Sequence, residues 1–241
     1  MCDRPGTTTE HSPPQCLFPE DKDLPPGQHL RKHLITVPSC AEHNTKKSRD
    51  DEFLLYILVI NLPSNDTAFQ QFTTKILRAI KRNPSLILRL FSSVHPVYVK
   101  SHETGLLEKS LAYDIDGKRF FSTLEKVARG IYFNHFKRQW KYNVDVQPEF
   151  LISIDQPTSI MTNELTRVIT LASDKLFEGH PSYGANPSVF RYQVQEIPEQ
   201  NQVIMRLCFY GGGNVTVLFN QRISQQSGPA YPPQGVGSAD P

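Results

Sequence analysis

The chain has 241 residues, of which 38% are hydrophobic and 21% charged, a size and balance that can bury a substantial core and that exclude disorder throughout. Its formal net charge of +2 is too small to imply an acidic partner, so any basic surface must be local. The longest apolar run, "FLLYILVI" at Phe53 to Ile60, falls short of the roughly 20 residues that span a bilayer, and the N-terminus has neither a basic n-region nor an apolar h-region; a cytoplasmic protein without a membrane span is expected.

The first fifty residues contain Pro5, Pro13, Pro14, Pro19, Pro25, Pro26 and Pro38, which excludes long helices there and requires something other than a large core to hold the segment. The same segment gathers Cys2, Cys16, Cys40, His11, His29, His33 and His43, and this crowding of possible ligands marks a candidate metal site. Ser48 with Asp51 three residues on resembles a capping box and starts a helix through the apolar run. A second helix is predicted from about Asp66 to Arg82, with Phe69, Phe72, Ile76 and Ile80 on one face and Lys75, Arg78, Lys81 and Arg82 toward solvent. The pattern is strongest in "GKRFFSTLEKVARGIYFNHFKRQW", where Phe120, Leu124, Val127 and Ile131 recur at helical spacing, as core and not as a base-stacking surface.

Strands are predicted at "PVYVK" (Pro96 to Lys100), "LAYDI" (Leu111 to Ile115), "FLISI" (Phe150 to Ile154) and "VFRYQVQ" (Val189 to Gln195). Val203, Met205, Leu207 and Phe209 alternate up to Gly211-Gly212-Gly213, and Val215, Val217 and Phe219 alternate after it, as in an antiparallel hairpin whose turn needs positive φ. The tail from Gln221, rich in Gln, Ser, Gly and Pro, is expected to be disordered. Cys208 lies in a strand and reads as packing.

Cys40 and His43 stand at a separation that lets a tight turn present a thiolate and an imidazole to one zinc ion. Cys2 is the upstream ligand this half-set calls for. Its own Cys-x-x-Cys partner falls before Met1, which suggests that Met1 is an internal residue; Cys16, His29 or water are the other ways to complete the shell. Glu10-His11 pairs a carboxylate that can hold a hard divalent ion with an imidazole whose ordinary pKa, about 6.5, lets it take a proton from water. Asn44 follows directly on His43, so a zinc-bound turn would also aim an amide oxygen.

At "EHSPP", "HLITVPSCAEHN" and the following "KKSRDDE" the sequence resembles the HNH endonucleases, a ββα-metal fold in which a hairpin and a helix frame one catalytic metal. The resemblance covers about residues 1–52. It implies a small zinc-stabilised, treble-clef-like ββα-metal module at 1–52; the helix and strand periods add a larger mixed helix and antiparallel-sheet domain at 53–220, an α+β chain as a whole, before the tail at 221–241. It implies His11 as general base, Glu10 and Asn44 as ligands of Mg²⁺ or another divalent ion, and Cys2, Cys40 and His43 as ligands of a structural Zn²⁺. His33 stands where the family has its middle Asn and is a candidate for orienting the base. Hydrolysis of DNA phosphodiesters is the implied activity, with RNA as a second substrate class, and Arg31, Lys32, Lys46, Lys47 and Arg49 are the expected phosphate contacts. The alternatives are a zinc-stabilised nucleic-acid-binding module that has lost cleavage, or an interaction protein that binds a partner, or another copy of itself, through residues 53–220.

Overall fold

A computed structural model describes residues 6–40, 48–61, 64–85, 93–100, 104–154 and 157–221. Cys2, His43, Asn44, Lys46, Lys47 and the tail beyond Gln221 lie outside the described residues. Of those described, 41% are helical and 28% are in strands, which makes the chain α+β, as its alternation of periods predicts.

Strand β1 (Thr8–His11) pairs antiparallel with β2 (Thr36–Ser39), placing Glu10 opposite Val37 and His11 opposite Thr36. Between them the proline-rich segment makes two 3-10 turns, Gln15–Leu17 and Asp21–Asp23. Helix α1 (Ser48–Ile60) follows with Asp50 and Asp51 in its first turn, where acidic side chains suit the positive end of the helix dipole. Every residue from Phe53 to Val59 is buried, the environment that a helix apolar on all sides requires.

Helix α2 (Asp66–Gln71), a π-helical turn (Phe72–Ile76) and α3 (Leu77–Arg82) form the second predicted helix. Asn65 caps it by accepting from the Ala68 N–H at 3.2 Å, and its amide donates to the Ser188 carbonyl at 2.7 Å. The cap thus ties the helix start to the sheet region as well as satisfying the helix end.

Strands β3 (Val94–Lys100) and β4 (Leu107–Tyr113) make a separate hairpin. Helix α4 (Gly117–Phe136) is capped by Asp116, which accepts from Arg119 N–H at 3.0 Å, and ends at Lys137 in the left-handed region. The main sheet contains β5 (Asn143–Pro148), β6 (Tyr183–Asn186), β7 (Phe190–Ile197), β8 (Gln202–Phe209) and β9 (Gly213–Asn220) in the antiparallel order β5-β9-β8-β7-β6. Its apolar face presents Val203, Met205, Leu207, Val215, Val217 and Phe219 to a core shared with Phe120, Leu124, Val127 and Ile131 of α4. The opposite, polar face carries helix α5 (Ser159–Phe177), bound through Ser173 to Thr216 at 2.8 Å.

Several sequence expectations are not met: Phe69, placed on the apolar face of the second helix, is 68% exposed, and Lys75, placed toward solvent, binds the Cys16 carbonyl. Phe150 to Ile154 is not a strand; the Ser153 N–H and carbonyl are both bound by the Asn163 side chain at 2.8 Å. Helix α5 and strands β5 and β6 carry no prediction. The division at 52/53 falls inside α1, and Leu17 and Phe18 belong to the same hydrophobic core as the sheet.

Candidate active site at the N-terminal hairpin

The loop joining β1 to β2 is held by side chains that bind its carbonyl groups. The Gln71 amide donates to the Leu17 carbonyl at 2.9 Å, Gln70 to that of Asp23 at 2.5 Å and Lys75 to that of Cys16 at 3.0 Å. Arg31 Nε donates to the Phe18 carbonyl at 3.0 Å, and the buried Tyr210 hydroxyl donates to the Leu17 carbonyl. Arg78 grips the buried Asp23 carboxylate with two bonds, 2.6 and 2.7 Å, and holds its pKa down. Backbone groups of an irregular segment that leaves water need such partners, and here side chains of the second helix, of the loop itself and of the turn after β8 provide them.

The end of β1 is pinned to α4. The Ser12 hydroxyl donates to the Val127 carbonyl at 3.0 Å, and Ser12 N–H extends the ladder to the Ile35 carbonyl at 3.0 Å. The Ser12–Pro13 peptide bond is cis. A Cβ on Gly130 would stand 2.3 Å from Ser12 Oγ, so the close approach of hairpin and helix depends on that glycine.

Beside this anchor lies an open pocket of about 220 Å³, with Glu10, His11, Pro14, Cys16, Ser48 and Asp51 among its walls. At roughly 30 Å³ per water, it has room for a hydrated ion. The last two residues of β1 therefore share one concavity with the first turn of α1, and Ser48 stands only four residues beyond Asn44 in the chain. Partial burial lowers the His11 pKa, and the nearby Arg31 guanidinium lowers it further; both disfavour the imidazolium. At neutral pH His11 is an uncharged base.

Of the other described sequence candidates, Cys16 alone lines this pocket. His33 is exposed with φ 55° and is not among the pocket walls. Lys32 is exposed, and its carbonyl accepts from Asn186 at 3.0 Å. Arg49 is exposed, and its carbonyl accepts from Arg119 at 2.6 Å. Cys40 is buried one residue past β2. Burial pushes the Cys16 thiol up to about 12, and the thiol donates to the Asp51 carbonyl at 3.3 Å; it is therefore protonated at neutral pH, whereas zinc takes a thiolate. His29 is bound to Asp21 at 2.8 Å.

Among the described residues no three His, Cys, Asp or Glu side chains are grouped to hold a metal; Cys2, His43 and Asn44 lie outside that set. The carboxylate of Glu10 in the pocket is a suitable oxygen donor for a hard divalent ion. Ser12, Gly130 and the carbonyl-binding Gln70, Gln71 and Lys75 carry no motif signal, because their role depends on contacts distant in sequence. No protein-family model matches the chain, and comparison with curated proteins and with solved structures finds none similar to it.

Proposed function

We propose that the chain is a metal-dependent endonuclease of the HNH type that hydrolyses DNA phosphodiester bonds. The observation that carries this reading is the pocket in which Glu10 and His11, at the end of a hairpin strand, meet the start of the helix that follows the hairpin. Strand, strand and helix come in the order that the resemblance of residues 1–52 implies.

In this reading His11, neutral at pH 7, takes the proton from an attacking water. Its backbone is held by the pairing of β1 opposite Thr36 and by the anchoring of Ser12 on α4. Glu10 with Asn44 would hold a Mg²⁺-type ion, which when bound supplies charge stabilisation at the phosphate and at the leaving oxygen. Arg31 lies close enough to His11 to be felt electrostatically and offers a cation to a phosphate; Lys32, Lys46, Lys47 and Arg49 extend that attraction without reading sequence. Cys2, Cys40 and His43 would hold a structural zinc that fixes the turn leading to Asn44.

The test is nicking of supercoiled DNA in the presence of Mg²⁺ or Mn²⁺. His11→Ala is expected to lower the rate by about 10²–10⁴-fold, the usual contribution of a general base, with the far-UV circular dichroism unchanged. Cleavage at the parental rate by His11→Ala would remove His11 from the mechanism and the proposal with it.

A further inference from the structure

Helix α5 is built the opposite way from a helix that covers a hydrophobic sheet. Its buried residues are Ser159, Thr166, Ser173 and Phe177, three of the four polar. It is fastened to the sheet by polar contacts: Ser173 to Thr216 at 2.8 Å, Gln147 to Thr166 at 3.2 Å and Arg206 to Asp174 at 2.6 Å. Five of its large apolar side chains point to solvent instead, with Ile160 74%, Met161 73% and Leu165 58% exposed, followed by Val168 and Leu171. The extended stretch before the helix, locked to it by the two bonds between Asn163 and Ser153, adds the exposed Ile152 and Ile154.

At those exposures these residues offer on the order of 800 Å² of surface, more than the roughly 300–600 Å² of the largest apolar patch on a typical monomer. It also matches the roughly 800 Å² per partner that a stable protein interface buries. Exposed on this scale, the face needs a cover.

We propose that the cover is the same face of a second copy of this chain. A two-fold dimer sets one surface against itself, so the surface must be self-complementary, and an apolar, electrically balanced face meets that condition. Glu164 and Arg167 neutralise each other at 2.5 Å, and Asp174 is paired with Arg206; like charges do not confront each other in bulk across the contact. A nucleic-acid surface would need clustered basic residues. A helix lying on a membrane would show Lys and Arg along its polar side and aromatic residues at its border. Helix α5 has one Arg, one Lys and a single, buried aromatic residue.

The experiment is sedimentation equilibrium of the full chain over a wide concentration range. A mass of two chains is expected. Leu165→Glu should shift it to one chain by raising the dissociation constant at least about tenfold, because it buries a charge against an apolar copy. Its far-UV circular dichroism should stay parental, since Leu165 is 58% exposed and lies outside the buried core of the described residues. If that variant fails to fold, Met161→Gln with Val168→Thr carries the same expectation. A single-chain mass for the parent at every concentration would overturn the proposal, as would a dimer that both variants leave intact. Binding of a monomeric parent to vesicles of anionic phospholipid, lost in Leu165→Glu, would overturn it by assigning the face to a membrane.

Discussion

His11 has its pKa lowered first by withdrawal from water and then by Arg31, and the order matters for what a mutation can do. The unfolded chain titrates this imidazole near 6.5, the folded chain below that. Between the two values the unfolded state binds a proton that the folded state does not, so the contribution of His11 to stability is present above 6.5 and is lost as pH falls through the folded value. If His11 is the base of the proposed cleavage, the same shift extends activity downward, and the acid limb of the rate profile is expected below 6.5. Arg31→Gln removes the smaller of the two causes and should move that limb up toward 6.5, measured as nicking rate against pH at fixed metal concentration; a limb that stays in place would mean that Arg31 is not felt by the base. The Glu10-His11 pair was legible in the sequence because the chemistry lies in the residues themselves. The sequence offered Arg31 only as a candidate phosphate contact; its bond to the Phe18 carbonyl and its ion pair with Glu20 at 3.6 Å were not legible, since an irregular loop has no period from which a partner can be read.

Elements were legible where burial follows period. Helix α4 announced itself because its apolar residues face the core, and β8 and β9 did so because every second side chain is buried. The turn between them places positive φ on Tyr210 and Gly211 and does not spread it along the glycine run. Helix α5 escaped because its apolar residues face outward and its inner residues are polar, which leaves a pattern that reads as neither a core helix nor a strand. What the period of α4 could not reveal is the hairpin lying against it. Helix propensity alone favours Gly130→Ala by about 1 kcal/mol, yet the added carbon would stand 2.3 Å from Ser12 Oγ and 2.7 Å from Ser12 Cβ. Ser12 is buried and hydrogen-bonded to Val127, so it cannot swing into solvent, and overpacking of this kind costs about 1–3 kcal/mol. Gly130→Ala is therefore expected to be destabilising in urea unfolding by about 1 kcal/mol net, and adding Ser12→Gly should recover much of the loss. A Gly130→Ala variant more stable than the parent would show that the hairpin yields to the helix.

At the scale of the molecule, the question is whether the hairpin module stands alone or shares its stability with the sheet. Composition suggested a division near residue 52, because the proline-rich start and the periodic remainder look unlike each other; contacts distant in sequence, which composition does not carry, join them. Leu17 is fully buried in the core that contains Leu54, Phe209 and Phe219, and its carbonyl receives bonds from Gln71 and Tyr210. Leu17→Ala keeps those backbone bonds and removes only packing, at a cost of about 2–5 kcal/mol for a buried leucine. The single tryptophan, Trp140, reports from the same core, packed at 5.3 Å from Tyr132 and 5.7 Å from Phe219. If one core unfolds as a unit, Leu17→Ala should lower the denaturation midpoint seen by Trp140 fluorescence as much as the one seen by far-UV circular dichroism, and the two curves should coincide. A Trp140 transition that stays at its parental midpoint while an earlier step appears in circular dichroism would mean that the hairpin and its loop unfold on their own.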